Sequence, residues 1–474
     1  MKADSPQRID IMIGVLAFAG MGASFMQTIV IPIQPELPEL LDASSADTPW
    51  VITATLVAAA ISTPIAGRLG DMYGKRRIAM ALLLLQAVGA VLAALSSTLV
   101  PMIVARALQG MATGVIPLGI SILRDCVPAA RLGSSIALVS ATLGVGGALG
   151  LPLSAIVAEH LDWHALFWVA AGVALVAYAL WFVFVPPSTQ RTPGRLDLVG
   201  IAGLSLGLVG VLVAISRGEE WGWGDPRTLL LLVGGAAVLL GWGAFELRIE
   251  HPLVDLRVSA SGAVLLTNLA SVAMGFALFS SSIVFPQLLQ LPTATGIGLG
   301  LSLVAASLVL APSGLAMMAM SPIAGRFERR HGPKPLLVGG AAVLATGYGA
   351  VLLFHHSLWQ VLGVNIVLGI GIGLGFAAMP ALIMQAVPRS ETGAANGLNA
   401  LMRSLGTSIA AAAIGAVLAQ STATVGGVTG PSENGFLLAL TLGLFAAMLC
   451  LGIAAFIPKP REVDDPSLPE GSLS

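Results

Sequence analysis

Apolar residues fall along this chain in long unbroken runs separated by short breaks rich in Gly, Pro and charge. A helix rises 1.5 Å per residue, so about 20 apolar residues cross the ~30 Å hydrocarbon core of a bilayer. Fourteen runs meet that length and predict helices near 9–34, 48–67, 77–96, 100–122, 132–158, 164–186, 197–216, 226–245, 262–286, 298–321, 335–354, 358–384, 392–420 and 435–457. The fold class expected is all-α and polytopic. An even number of crossings returns both ends to one side of the membrane.

The basic residues agree with this threading, because loops on the cytoplasmic side collect Lys and Arg. With both termini inside, 19 of the 23 Lys and Arg fall on the cytoplasmic side; Arg217 and Arg227 lie outside, and Arg106 and Arg403 lie within spans. One helix more or fewer would scramble this asymmetry.

Composition places the protein in a bilayer. Its 474 residues are 56% hydrophobic and only 10% charged, too apolar for a soluble chain of this size. A net charge of -1 argues against a nucleic-acid partner. The two cysteines, Cys126 and Cys450, supply neither a disulfide nor a metal framework. Among six histidines only His355 and His356 pair up, and as neighbours in an outer loop they are poorly arranged to share an ion, so no metal and no cofactor is expected. The first run, Ile11 to Pro32, is too long for a signal-peptide core and is expected to stay as a helix.

The chain repeats itself. Pro64-Ile65-Ala66-Gly67-Arg68 recurs as Pro322-Ile323-Ala324-Gly325-Arg326, and Gly74 as Gly332, all at an offset of 258. Val127-Pro128 and Gly133 echo in Val387-Pro388 and Gly393. The second span thus matches the tenth and the fourth matches the twelfth, so eight helices separate equivalents. Two six-helix halves with two inserted helices satisfy this: 1–186, an insert at 187–261, 262–457, and a cytoplasmic tail at 458–474.

Between the second and third spans lies a charged stretch, Gly67-Arg68-Leu69-Gly70-Asp71-Met72-Tyr73-Gly74-Lys75-Arg76-Arg77. It reads as a hinge loop: three glycines for a tight connection, with one acid among four bases. It matches the G-x-L-x-D-x-x-G-[KR]-[KR] signature of the major facilitator superfamily, which the chain resembles. Further stretches, in order, resemble the fourteen-span drug:proton antiporters of the EmrB/QacA type. These are Gly194-Arg195-Leu196-Asp197, Gly218 with Trp221 and Trp223, His251-Pro252-Leu253-Val254-Asp255-Leu256-Arg257, and Arg403-Ser404-Leu405-Gly406.

The resemblance implies roles. Gly67, Arg68, Asp71, Gly74, Lys75 and Arg76 would form the conformational switch. A carboxylate is favoured at a helix N-terminus by unpaired N–H groups and partial positive charge. Asp71 would therefore meet the start of the thirteenth span near Ser390, Glu391 and Thr392, with Arg124 or Arg68 as charge partner. The equivalent of Asp71 in the second half is Arg329, which would leave the switch one-sided. Arg106 and Gln109 match the R-x-x-Q-G signature of the fourth helix, where the arginine is implicated in proton coupling. A buried charge there costs about 2.5–3.5 kcal/mol on insertion scales, unless Arg106 snorkels to the outer headgroups. Arg403 either joins the coupling or bonds to backbone carbonyls. In the fifth span Gly146, Gly150 and Pro152 stand for the antiporter's packing element, although Leu151 interrupts its Gly-Pro pair and Ser154 stands in the later part; ordinary helix contact explains the same residues.

The first span departs from the family. The pattern D-x-T-I-V-N aligns with Met26-Gln27-Thr28-Ile29-Val30-Ile31, so the expected proton-carrying acid is Met26. None of the 24 Asp and Glu lies mid-span; Asp10, Asp125, Glu159, Asp197 and Glu246 sit at ends. Two intramembrane arginines without an intramembrane acid favour an anionic or neutral amphiphile over a cation. Met21, Phe25, Met26, Gln27, Met274, Phe276, Phe279, Gln287, Asn365, Met379, Asn396 and Asn399 lie on spans that line the family's central cavity; helix packing explains each of them as well.

The function expected is therefore secondary transport in the plasma membrane. A monomer would export amphiphilic small molecules such as antibiotics by alternating access, with protons as the coupling ion. An uncoupled facilitator or a lipid or anionic-metabolite transporter is the alternative, and a non-transporting sensor or scaffold is the alternative class. No phosphate loop supports ATP-driven pumping, and no cluster of acids, histidines or nucleophiles at membrane depth supports an enzyme.

Overall fold

The computed structural model describes residues 6–44, 47–188, 196–250, 252–425 and 428–458. Gly194, Arg195, His251 and the tail from Lys459 lie outside the described residues, as does the side chain of Glu159. Among the described residues, fourteen helices are long and apolar enough to cross a membrane. They are α1 (Pro6–Thr28), α2 (Trp50–Tyr73), α3 (Lys75–Ala94), α4 (Leu99–Cys126), α5 (Ala129–His160), α6 (His164–Phe184) and α7 (Leu198–Trp221), followed by α8 (Pro226–Glu246), α9 (Gly262–Gln290), α10 (Leu303–His331), α11 (Pro333–Leu353), α12 (Leu358–Ala386), α13 (Thr392–Gln420) and α14 (Glu433–Phe456). The chain is an all-α polytopic membrane protein, with one small hairpin, Thr422–Val425 against Val428–Pro431, before α14.

The charged stretch is not a loop. Helix α2 continues through Gly67, Arg68 and Asp71 to Tyr73, and α3 starts at Lys75, so the connection is Gly74 alone, at φ 105°. A residue with a Cβ rarely adopts that φ. The tenth span is likewise longer than the hydrophobic run: α10 passes a break at Met320 and ends at His331, before Gly332 at φ 82°. Charged residues end a hydrophobic run without ending a helix, which is why both spans outrun their sequence boundaries. The offset of 258 thus joins two one-glycine corners. The second echo also holds, since α4 and α12 each end just before an extended Val-Pro, Val127-Pro128 and Val387-Pro388.

One buried cluster draws on α9–α14, with Ala137 and Ala141 of α5. Two others draw on the first six helices and the segment that follows α1, one of them with Met384 of α12. Helix α7 packs Leu204, Leu208 and Leu212 against Ala60 of α2 and Leu398 and Leu401 of α13. Helix α8 lies outermost: only 11% of its apolar window is buried, against 78% for α12. Between α5 and α6, the His164 backbone N–H donates to Asp162 (2.8 Å) and the His164 ring faces the same oxygen (2.5 Å), which holds Asp162 below the usual carboxylate range.

Candidate functional site: a latch on one face and two buried arginines

On the face to which both ends of the described chain return, α2 and α13 touch through glycine. A Cβ on Gly67 would overlap the Gly393 carbonyl, and one on Gly397 would overlap the Thr63 carbonyl. Small residues let helices approach this closely. The approach delivers Asp71, 2% exposed, to the first turn of α13: Gly393 N–H donates to Oδ1 (3.1 Å) and Ala394 N–H to Oδ2 (2.9 Å). Both are donors that a helix start leaves unpaired, so the carboxylate caps α13 from 322 residues away.

Sequence reasoning offered Arg124 or Arg68 as the charge partner of Asp71; the structure sets Lys75, one turn on, as an ion-pair partner. Lys75 Nζ, 1% exposed, lies 4.0 Å from Asp71, 2.6 Å from Asp125 Oδ2 and 3.3 Å from Thr392 Oγ1. One cation thus serves two acids, one of them at the end of α4. Arg124 donates to the Val387 carbonyl (3.3 and 3.2 Å), and Arg68 acts electrostatically on Glu391. The second junction on this face, α5 with α10, is also tied: a Cβ on Gly325 would overlap Ser134, and Arg329 donates to the Ala130 carbonyl (3.1 Å). The equivalent of Asp71 is therefore not idle, though its single exposed bond is a weaker tie than a buried carboxylate. Beside the latch, the Arg76 side chain donates to the Phe182 carbonyl (2.5 Å), its backbone N–H donates to Ser188 Oγ (3.2 Å), and it helps line a cavity of about 290 Å³ with Arg77, Met80 and Pro187.

Arg106 does not snorkel, being 0% exposed. Its guanidinium donates to the Met26 carbonyl (2.7 Å), Gln109 Oε1 (2.6 Å) and the Val51 carbonyl (3.4 Å), and so joins the end of α1, the start of α2 and α4. At the position where the family resemblance calls for an acid, this protein offers Arg106 a carbonyl. One guanidinium nitrogen, Nη2, and Gln109 Nε2 are buried without a hydrogen-bond partner among the described residues. Arg403 is half-buried, 5.0 Å over the Phe376 ring, and has neither a carboxylate nor a backbone carbonyl bonded to it among the described residues.

The remaining expected residues divide. A Cβ on Gly146 would meet the Met21 carbonyl and one on Gly150 the Thr28 side chain, so α5 lies tight on α1 there, with Pro152 buried in the same helix. Phe25, Met26, Met274 and Met379 are buried in packing. Asn365 donates to the Leu310 carbonyl (3.0 Å), Asn396 to the Thr392 carbonyl (2.9 Å), and Asn399 to Asn268 (2.9 Å) and Ser271 (2.7 Å). Met21, Gln27, Phe276 and Phe279 are partly exposed and Gln287 is exposed. Asn399→Ala is expected to cost about 1–2 kcal/mol, read as a melting temperature lower by a few degrees in detergent.

Gly393, Gly397 and Asn268 enter the site although sequence reasoning gave them no role in it, and Asp125, a span-end acid open to titration if buried by neighbouring helices, joins them through Lys75. The two glycines four apart on α13 were a legible small-residue stripe; Asn268 carried no such signal. The histidine pair is also joined by a third group, since the ligand atoms of His355, His356 and Glu433 all lie within 4.8 Å of one another.

Comparison with known proteins gives a consistent result. The family described as Major Facilitator Superfamily matches residues 16–411 and 267–473. The chain is 28% identical over 424 residues to the tetracenomycin C resistance and export protein of Streptomyces glaucescens, covering 88% of this chain and 76% of that protein. It is 28% identical over 469 residues to the lincomycin resistance protein LmrB of Listeria innocua, covering 95% and 97%. In structure it resembles the human organic anion transporter MFSD10 (TETRAN), with a TM-score of 0.66 at 14% identity, covering 95% of this chain and 100% of that one. It also resembles the proton:xylose symporter XylE, with a TM-score of 0.64 at 14% identity, covering 95% and 96%.

Proposed function

Because the chain belongs to the major facilitator superfamily, we propose that it is a secondary active exporter of amphiphilic small molecules, antibiotics among them, working by alternating access. The observation that carries this reading is the α2–α13 latch. A buried carboxylate bonded to two backbone N–H groups of another helix, through facing glycines, is strong when closed yet breaks as a unit when the helices part. Its likeness to resistance and export proteins over most of its length supports drugs as cargo.

In this reading α1–α6 and α9–α14 are the two rocking bundles, α7 and α8 are an insert, and the protein works as a monomer in the plasma membrane. The Asp71 face is cytoplasmic, and the state described is closed there. Protons are the proposed coupling ion, with Lys75 shared between Asp71 and Asp125 as the place where a proton would loosen the latch. A second reading, uncoupled transport, is favoured by Met26, whose carbonyl rather than a carboxylate meets Arg106.

Efflux of cationic and anionic dyes and drugs from pump-deficient cells tests both. Export that collapses with a protonophore is the expected result; export indifferent to it selects the uncoupled carrier. No efflux of any compound, from protein verified in the membrane, would point instead to a narrow substrate outside the panel or to a non-transporting sensor or scaffold.

A further inference from the structure

On the face opposite Asp71, we propose that His355, His356 and Glu433 bind a divalent transition-metal ion, with Zn²⁺ as the fitting case. The first support is the tautomer of His355. Its Nδ1 lies 2.9 Å from the Val351 carbonyl, an oxygen that only accepts, so Nδ1 carries the proton and the lone pair of the neutral ring is on Nε2. That arrangement, one ring nitrogen donating to a backbone carbonyl and the other left bare, is how ligand histidines are held.

The bare Nε2 is the second support. His355 is 7% exposed, and Nε2 is buried with no hydrogen-bond partner. It points at Glu433 Oε1, 3.6 Å away. A lone pair facing a carboxylate oxygen is repulsive, and a cation between them satisfies both. His356 stacks on His355 with ring centroids 4.1 Å apart and completes the set.

The backbone holds these groups from two sides. His356 N–H and Ser357 N–H both donate to Gln360 Oε1 (3.0 and 3.2 Å), within the capping box that starts α12. Glu433 stands in the first turn of α14, behind its cap Ser432. Tetrahedral Zn²⁺ with ligand bonds near 2.0–2.1 Å needs ligand atoms roughly 3.4 Å apart. The exposed side chains of His356 and Glu433 can close that gap while His355 stays fixed. Two imidazoles and one carboxylate suit zinc, nickel or copper and not magnesium or calcium, which take oxygen. The ion would clamp the α11–α12 turn to α14, all within the C-terminal helices, and leave the latch untouched.

The test is zinc binding to the detergent-purified full chain, carrying a non-histidine affinity tag and stripped with chelator, by equilibrium dialysis with metal analysis. One zinc per chain is expected, undisturbed by excess magnesium, with a higher melting temperature on loading. Glu433→Gln and His356→Ala should each weaken binding at least about 100-fold, while melting like the parent without zinc. Zinc uptake equal in the parent and both variants, or no uptake by the parent, would overturn the site and leave His355 and Glu433 as an ordinary imidazolium–carboxylate pair.

Discussion

Asp71→Asn is expected to open the α2–α13 junction and to slow export at least about tenfold. An asparagine oxygen can accept from one of the two N–H groups, Gly393 or Ala394, but its NH₂ then faces the other, and the charge that met the helix start is gone. A hydrogen bond to a charged group contributes about 1.5–3 kcal/mol, which shifts the ratio of closed to open molecules about ten- to hundredfold. Lys75 keeps Asp125, so the variant still folds. Spin labels at Tyr73 and Arg389, both exposed and on either side of the junction, read the outcome after Cys126 and Cys450 are replaced. A second, longer distance should appear in the variant. Gly67→Val should give the same population by overlap with the Gly393 carbonyl, with no change of charge. Distances that stay single in both variants would rule the latch out.

Arg106→Leu is the second large effect, with transport lost while stability holds. The substitution removes a buried charge, which favours the folded state, and strands the Met26 carbonyl and the Gln109 amide, which opposes it at about 1–3 kcal/mol each. These terms offset to within a few degrees of melting temperature. A purely structural arginine therefore predicts a small change in both stability and transport. An arginine whose charge works during the cycle predicts export down about 100-fold, equivalent to about 2.7 kcal/mol of barrier, in protein that melts normally. Arg106→Lys separates shape from charge: one ammonium cannot span three acceptors on three helices, so it should restore little. Full export by the leucine variant would assign Arg106 to packing alone.

The legible parts of this protein are those with a local physical cause. A bilayer leaves no water for backbone groups, so each crossing is a helix whose length the hydrocarbon thickness sets, and fourteen runs could be counted. Gly74 and Gly332 were visible as a repeat because a one-residue corner at positive φ needs glycine in both halves. The extent of α2 and α10 was misread for the same reason: hydropathy marks where a helix leaves the apolar layer, not where its hydrogen bonds stop.

Side-chain partners were not legible. That Asp71 sits at a helix start followed from its resemblance to a family, yet Lys75 as its partner, shared with Asp125 across 50 residues, follows from how α2, α3 and α4 pack. Arg106 was marked by its sequence as a charge needing compensation, with no mid-span acid to supply it; the tertiary structure supplies carbonyls of α1 and α2. His355 and His356 read as an idle pair until the fold brought Glu433 beside them from 78 positions on. The chain by itself determined the number of crossings, their internal repeat and the residues too costly to bury without purpose, since each depends on neighbours or on the solvent. Only the tertiary structure decided what those residues meet, because contacts between distant helices depend on packing geometry and leave no periodic trace in the sequence.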